Sequence, residues 1–197
     1  MKYVIALLGL SLAIGSCSPE QASPGDKLFD QGDYAGAIKA YDEYLEYNPK
    51  DLNTYYNRGR AYEELGQYDQ ASSDFHKVIE LDANYRDAYL SLGNVAYREG
   101  NYLQASDHYL KATELESRNA LSFQLHGRAL AKLGKVAEAI ESYDQAIALD
   151  KELATAYLNR GLAYVAQGSS RKACADFRQA QLLKDPNAER ALKEYCK

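Results

Sequence analysis

The sequence predicts an all-α protein, an array of about five helix–turn–helix units closed by one further helix at the C-terminus. Two observations carry this. Residues 55–71, Y-Y-N-R-G-R-A-Y-E-E-L-G-Q-Y-D-Q-A, return in near copy as Y-L-N-R-G-L-A-Y-V-A-Q-G-S-S-R-K-A at 157–173. That separation of 102 residues falls into steps of 34, and each step from Gly59 meets glycine again, at Gly93, Gly127 and Gly161. In the same register follow Gly66, Gly100, Gly134 and Gly168, then Ala71, Ala105, Ala139 and Ala173, then the aromatics Phe75, Tyr109, Tyr143 and Phe177. A period of this length marks stacked supersecondary units, none of which can bury its apolar face alone.

Taken in chain order, the first element is an address. Residues 1–16 place one lysine before an apolar run from Tyr3 to Ile14, too short for a comfortable span of about 20 residues, with the layout of a signal peptide. The end of the run, Ile14-Gly15-Ser16-Cys17, resembles the bacterial lipoprotein signal. That resemblance implies lipid attachment at Cys17, cleavage before it, and a tether over 17–23 leading to the first unit. Ser18 after the cysteine is similar to lipoproteins sent to the outer membrane. The alternative is an ordinary secretory signal ending near a cysteine.

The units are expected at 18–51, 52–85, 86–119, 120–153 and 154–187. The first is partial: Gly25, Gly32, Ala37 and Tyr41 hold the register, but Gln21 stands where later units carry Tyr55, Tyr89, Phe123 and Tyr157, so its opening helix should be short. Within each later unit, apolar residues at spacings of three and four form one helical face. Gly66 and its equivalents end that run, where a left-handed residue closes a helix. Glycine in mid-helix, at Gly59 and its equivalents, costs about 1 kcal/mol relative to alanine. Close approach of two antiparallel helices would offset this, with Ala71 and its equivalents expected opposite. The final segment, 186–197, is expected to be a helix that covers the last apolar face of the stack. Cys174 and Cys196 would then pin this cap by a disulfide in an oxidising compartment, or remain two buried free thiols.

The recurring aromatic, glycine, aromatic and alanine positions resemble the tetratricopeptide repeat over some 170 of the 197 residues. The resemblance implies a right-handed superhelix whose first helices line a concave groove. Departures are Arg58, His126 and Arg160 in the usual leucine slot, and a closing proline kept only at Pro49 and, one residue late, Pro186. By resemblance, the groove-facing residues lie two before the central glycine (Asn57, Ser91, Leu125, Asn159) and one after it (Arg60, Asn94, Arg128). Tyr97, Arg98 and Lys132 lie further in, and Asp87 and Gln124 come from the starts of their helices. Asparagine at the first of these positions offers both donor and acceptor to a peptide backbone. The cations suggest a partner segment with carboxylates, the alternative being ordinary solvation of exposed helix faces. Leu125, Leu158 and Leu162 offer an apolar end to the groove, unless the C-terminal cap helix covers them.

Composition narrows the function. Lysine and arginine number 23 against 28 aspartates and glutamates, a net charge of −5 without a basic stripe, which argues against nucleic acid. The 18 tyrosines fall mostly in the aromatic slots of the repeat. His76, His108 and His126 occupy three different register positions and form no metal-ligand spacing; His126 stands at a packing site. No nucleophile elbow, phosphate loop or His-Glu-x-x-His motif occurs, so no catalytic residue, cofactor or metal is expected. The resulting expectation is a non-enzymatic, lipid-anchored adaptor in the bacterial envelope that binds an extended or helical peptide of a partner protein. Alternatives are a pilotin-like assembly factor for a secretin or type IV pilus component, or a structural part of an envelope export machine.

Overall fold

The computed structural model describes residues 24–197; Cys17, the signal over 1–16 and the tether lie outside them. Among the described residues there are eleven helices and no strand. They run α1 (Pro24–Asp30), α2 (Tyr34–Tyr47), α3 (Leu52–Glu64), α4 (Tyr68–Leu81), α5 (Arg86–Arg98), α6 (Tyr102–Leu115), α7 (Ala120–Lys132), α8 (Val136–Leu149), α9 (Ala154–Ala166), α10 (Ser170–Leu182) and α11 (Ala188–Tyr195). Consecutive helices pack on one another, and α3 also meets α5, as α7 meets α9. The pairs stack as a right-handed superhelix in which each layer depends on its neighbours.

Local chemistry sets the helix ends. Asp51 and Asn119 accept the backbone N–H of Thr54 (2.8 Å) and Ser122 (2.9 Å), each satisfying an orphan donor of a first turn. Between the two helices of each unit the chain turns on a glycine with positive φ, between 71° and 81° from Gly32 to Gly168, the conformation for which an L side chain is least suited. The described part of α1, Pro24–Asp30, has seven residues; Gln21, where the opening aromatic is missing, lies outside the described residues.

The mid-helix glycines meet a different neighbour from the one expected. A Cβ at Gly93 would stand 2.5 Å from Cε1 of Tyr109, and at Gly127 2.6 Å from the same atom of Tyr143; Gly59 and Gly161 face Phe75 and Phe177 likewise. The aromatic ring therefore lies across the glycine. The alanine four residues earlier, fully buried, packs beside the contact without being the group that demands it. The ring is broad enough to cover the gap only if the facing residue has no side chain.

At the C-terminal end the cap is α11, which packs on α10 and begins two residues after Pro186. Ala188 and Ala191 are buried against Leu158, Phe177 and Ala180, and the Phe177 and Tyr195 rings lie 6.0 Å apart. Cys174 and Cys196 form a disulfide with Cα atoms 5.7 Å apart. The cap thus covers Leu158, whereas Leu162 stays 41% exposed on the groove side.

Candidate peptide-binding groove

The leucine-slot departures form one system that couples adjacent units. The Arg58 guanidinium on α3 donates to both oxygens of Asp74 on α4 (Nε 2.8 Å, Nη2 2.6 Å) and, by Nη1 at 2.6 Å, to Asp42 on α2. Arg160 on α9 repeats this with Asp176 on α10 (2.8 Å twice) and Asp144 on α8 (2.5 Å). In both, the partners stand sixteen residues before and after the arginine. The two intervening layers carry other triplets in that register: His76, Leu92 and His108, then Leu110, His126 and Ser142. The His126 Nδ1 and Ser142 Oγ are 3.2 Å apart. All three histidines of the chain therefore lie in the central layers, and the outer layers are clamped by ion pairs. Burial lowers the pKa of His108 and of His126; His76, whose ring centre is 6.3 Å from that of His108, pushes the latter further down.

On the concave side, the residues expected at the groove divide by burial. Ser91, Gln124 and Leu125 are 6%, 5% and 8% exposed and are closed off in the stack; this corrects their assignment to the peptide surface. They belong to the middle layers, where a helix on each side covers the position; Leu125 packs with Ala96, Tyr109 and Ala129. Asn57 and Asn159 remain partly exposed in the second and fifth units. The Asn57 amide is already engaged, donating to Asp26 Oδ1 at 2.9 Å. Asp87 is held by its neighbour Arg86, whose Nε lies 2.8 Å from Oδ1. Arg98 faces Glu63 at 3.6 Å, and Asn94 accepts the Tyr109 hydroxyl at 2.8 Å.

Among the described residues, the expected groove cations Arg60, Arg128 and Lys132 form no ion pair and rest on aromatic rings instead. Arg60 lies 5.0 Å from the Phe29 ring centre, Arg128 4.7 Å from Tyr97 and Lys132 6.0 Å from Tyr102. A cation stacked on a ring face keeps its N–H groups for another partner. Tyr97, Arg128, Lys132 and Asn159, four of the expected residues, surround one cavity of about 300 Å³ between α5, α7 and α9, with Tyr143 at its floor and Leu162 on its wall. Tyr143 is the residue that sequence reasoning missed, being read only as an aromatic packing group. The described lining of this cavity combines hydrogen-bond donors, a ring face and an apolar wall. Among the described residues no group of three or more His, Cys, Asp or Glu side chains is placed to hold a metal, and no helix is long and apolar enough to cross a membrane.

Comparison with known proteins gives the same architecture. Family models described as TPR repeat match residues 25–66 and 127–168, and models described as tetratricopeptide repeat match 53–85, 87–119 and 154–187. The chain is 38% identical over 55 residues to the Hsp70-Hsp90 organizing protein of Triticum aestivum; the match takes in 28% of this chain and only 10% of that protein's length. Among solved structures, MamA superposes with a TM-score of 0.78 at 28% identity, covering 85% of this chain and 98% of that one. The Arabidopsis OM64 TPR domain gives 0.55 at 28% identity, over 56% of this chain and 93% of that domain. YrrB, described as a TPR protein with an unusual peptide-binding site, gives 0.73 at 24% identity over 86% and 87% of the two chains.

Proposed function

Because the chain belongs to the tetratricopeptide repeat family, we propose that it is a non-enzymatic scaffold whose concave groove holds an extended or helical segment of a partner protein. The observation that carries this is the row of ring-stacked cations along the groove, without an ion pair among the described residues, beside a cavity with apolar walls. Exposed arginine on an ordinary solvated face needs neither feature. The description of YrrB as peptide-binding lends support by analogy of fold.

The scaffold is proposed to act in the bacterial envelope, held by lipid on Cys17 and facing the periplasm from the outer membrane. The apolar run ending at that cysteine supports this. So does the Cys174–Cys196 disulfide, which suits an oxidising compartment. Two acyl chains on one residue are enough for stable anchoring.

The test is fractionation of cells expressing the native chain or Cys17→Ala, with chemical cross-linking before lysis. The native chain is expected in the membrane fraction and the variant in the soluble fraction; a variant that stays with membranes refutes the lipid anchor. Cross-links mapping to α5, α7 and α9 support the groove, and cross-links confined to the opposite face refute it. A secretin or pilus protein as the cross-linked species would replace the adaptor role with an assembly role.

A further inference from the structure

Each unit pairs the aromatic ring that covers its central glycine with the residue after that glycine. Where the ring carries a hydroxyl, the companion accepts from it: Tyr41 donates to Asp26 Oδ1 and Tyr109 to Asn94 Oδ1, both at 2.8 Å. Where the companion is Arg60 or Leu162, which cannot accept, the ring is Phe75 or Phe177. The fourth unit alone breaks this rule, setting Tyr143 against Arg128, two donors. Tyr143 is 1% exposed, and its hydroxyl makes no hydrogen bond among the described residues although it borders the cavity. The hydroxyl is reachable from the cavity, so a group bound there can accept from it.

The surroundings say which partner. Arg128 is stacked on Tyr97 and Lys132 near Tyr102; among the described residues neither is in an ion pair and no carboxylate lines the cavity. Asn159 adds an amide, and Leu162 belongs to an apolar wall. The cavity therefore converges donors and positive charge in a place partly shielded from water, where charge-assisted hydrogen bonds gain strength. We propose that this cavity is a carboxylate-binding subsite, in which Arg128, Lys132 and the Tyr143 hydroxyl receive the acidic side chain of an extended partner segment and Leu162 packs against its apolar neighbour. The assignment rests on the groove reading above. An acidic side chain within a segment fits better than a chain end, because the groove runs on past the cavity toward α3, where Arg60 also has no ion pair among the described residues. Burial raises the pKa of the Tyr143 hydroxyl, so it stays protonated and donates throughout the physiological range.

The test uses the full chain with three probes: an acetylated, amidated peptide of alternating Leu and Glu, its Gln counterpart, and that Gln peptide with a free C-terminal carboxylate. Binding is read from backbone amide shifts. The Glu peptide is expected to move the amides of Ala131, Leu162 and Ala166, and the Gln peptide to bind about tenfold more weakly or worse. Arg128→Asn, which supplies the acceptor present in the third unit, should weaken the Glu peptide by a similar factor. Tyr143→Phe should weaken it about two- to tenfold with an unchanged melting midpoint, since Phe75 and Phe177 already fill that place. Equal binding of the Glu and blocked Gln peptides, or full binding by both variants, overturns the subsite. Binding regained only with the free C-terminal carboxylate overturns the side-chain source. If both blocked peptides bind equally with shifts inside the groove, the subsite falls and the groove stands; shifts confined to the opposite face sink both.

Discussion

Arg58→Leu should destabilise the chain by far more than the loss of a surface ion pair. Arg58 donates twice to Asp74, which is 4% exposed, and once to Asp42, which is half-exposed. The Asp42 contact is worth little, as exposed pairs contribute about 0–1 kcal/mol. Asp74 is the expensive partner: burial already pushes its carboxyl up, with Arg58 pulling it back, and without the guanidinium it would be a buried charge with no counterion. Removing one member of a buried pair costs about 3–5 kcal/mol. Because 19% of the Arg58 side chain is exposed and water can follow it out, about 2–4 kcal/mol is the reasonable range here. Urea unfolding at neutral pH, followed by circular dichroism, measures this. The double substitution Arg58→Leu with Asp74→Ser should recover at least half of the loss, because Leu92 and Ser142 occupy those register positions in the central layers. A single variant within about 0.5 kcal/mol of the native chain, or a double variant less stable than the single, would refute the reasoning.

Gly93→Ala sets helix propensity against packing: alanine gains about 1 kcal/mol, whereas overfilling a tight core costs about 1–3 kcal/mol. With the new Cβ 2.5 Å from the ring of buried Tyr109, packing should win and the melting midpoint should fall; a rise would show that the ring yields freely. Acid should also loosen the central layers. His108 faces His76 from α4 and Tyr89 from α5, with Asp107 beside it; His126 faces Ser142 and Glu138 from α8 and Asp107 from α6, with Lys135 near. Folded pKa values below the ordinary histidine value mean that the unfolded chain takes up protons first. Stability is therefore full above about pH 7 and falls as pH drops through about 6.5, by at most about 1.4 kcal/mol per pH unit for each histidine. Thermal melts at pH 7.5 and 5.5 should show this fall, and His108→Gln should reduce it; a midpoint that holds or rises on acidification contradicts it.

Much of the architecture was legible because one period wrote it repeatedly. The recurrence of Gly59, Gly66, Ala71 and Phe75 in step gives the helix pairs, their corners and the array. Local rules suffice there, since a helix face or a positive-φ corner is decided within a few residues. The groove was legible in part: Arg128, Lys132, Tyr97 and Asn159 do come together, but Ser91 and Leu125, in the register position of Asn159, and the adjacent Gln124 are buried by neighbouring helices.

Periodicity along the chain sets the repeat, its phase and the cap. Which side chains of successive units meet is set by stacking, because it depends on the rotation and spacing between helix pairs and not on the period within one. The arginine–aspartate clamps sixteen residues apart, the ring that lies on each central glycine, and the Tyr143 hydroxyl reaching the groove floor are all products of that stacking. A helical repeat fixes the face each residue occupies; the angle at which the next helix crosses it fixes what that face touches.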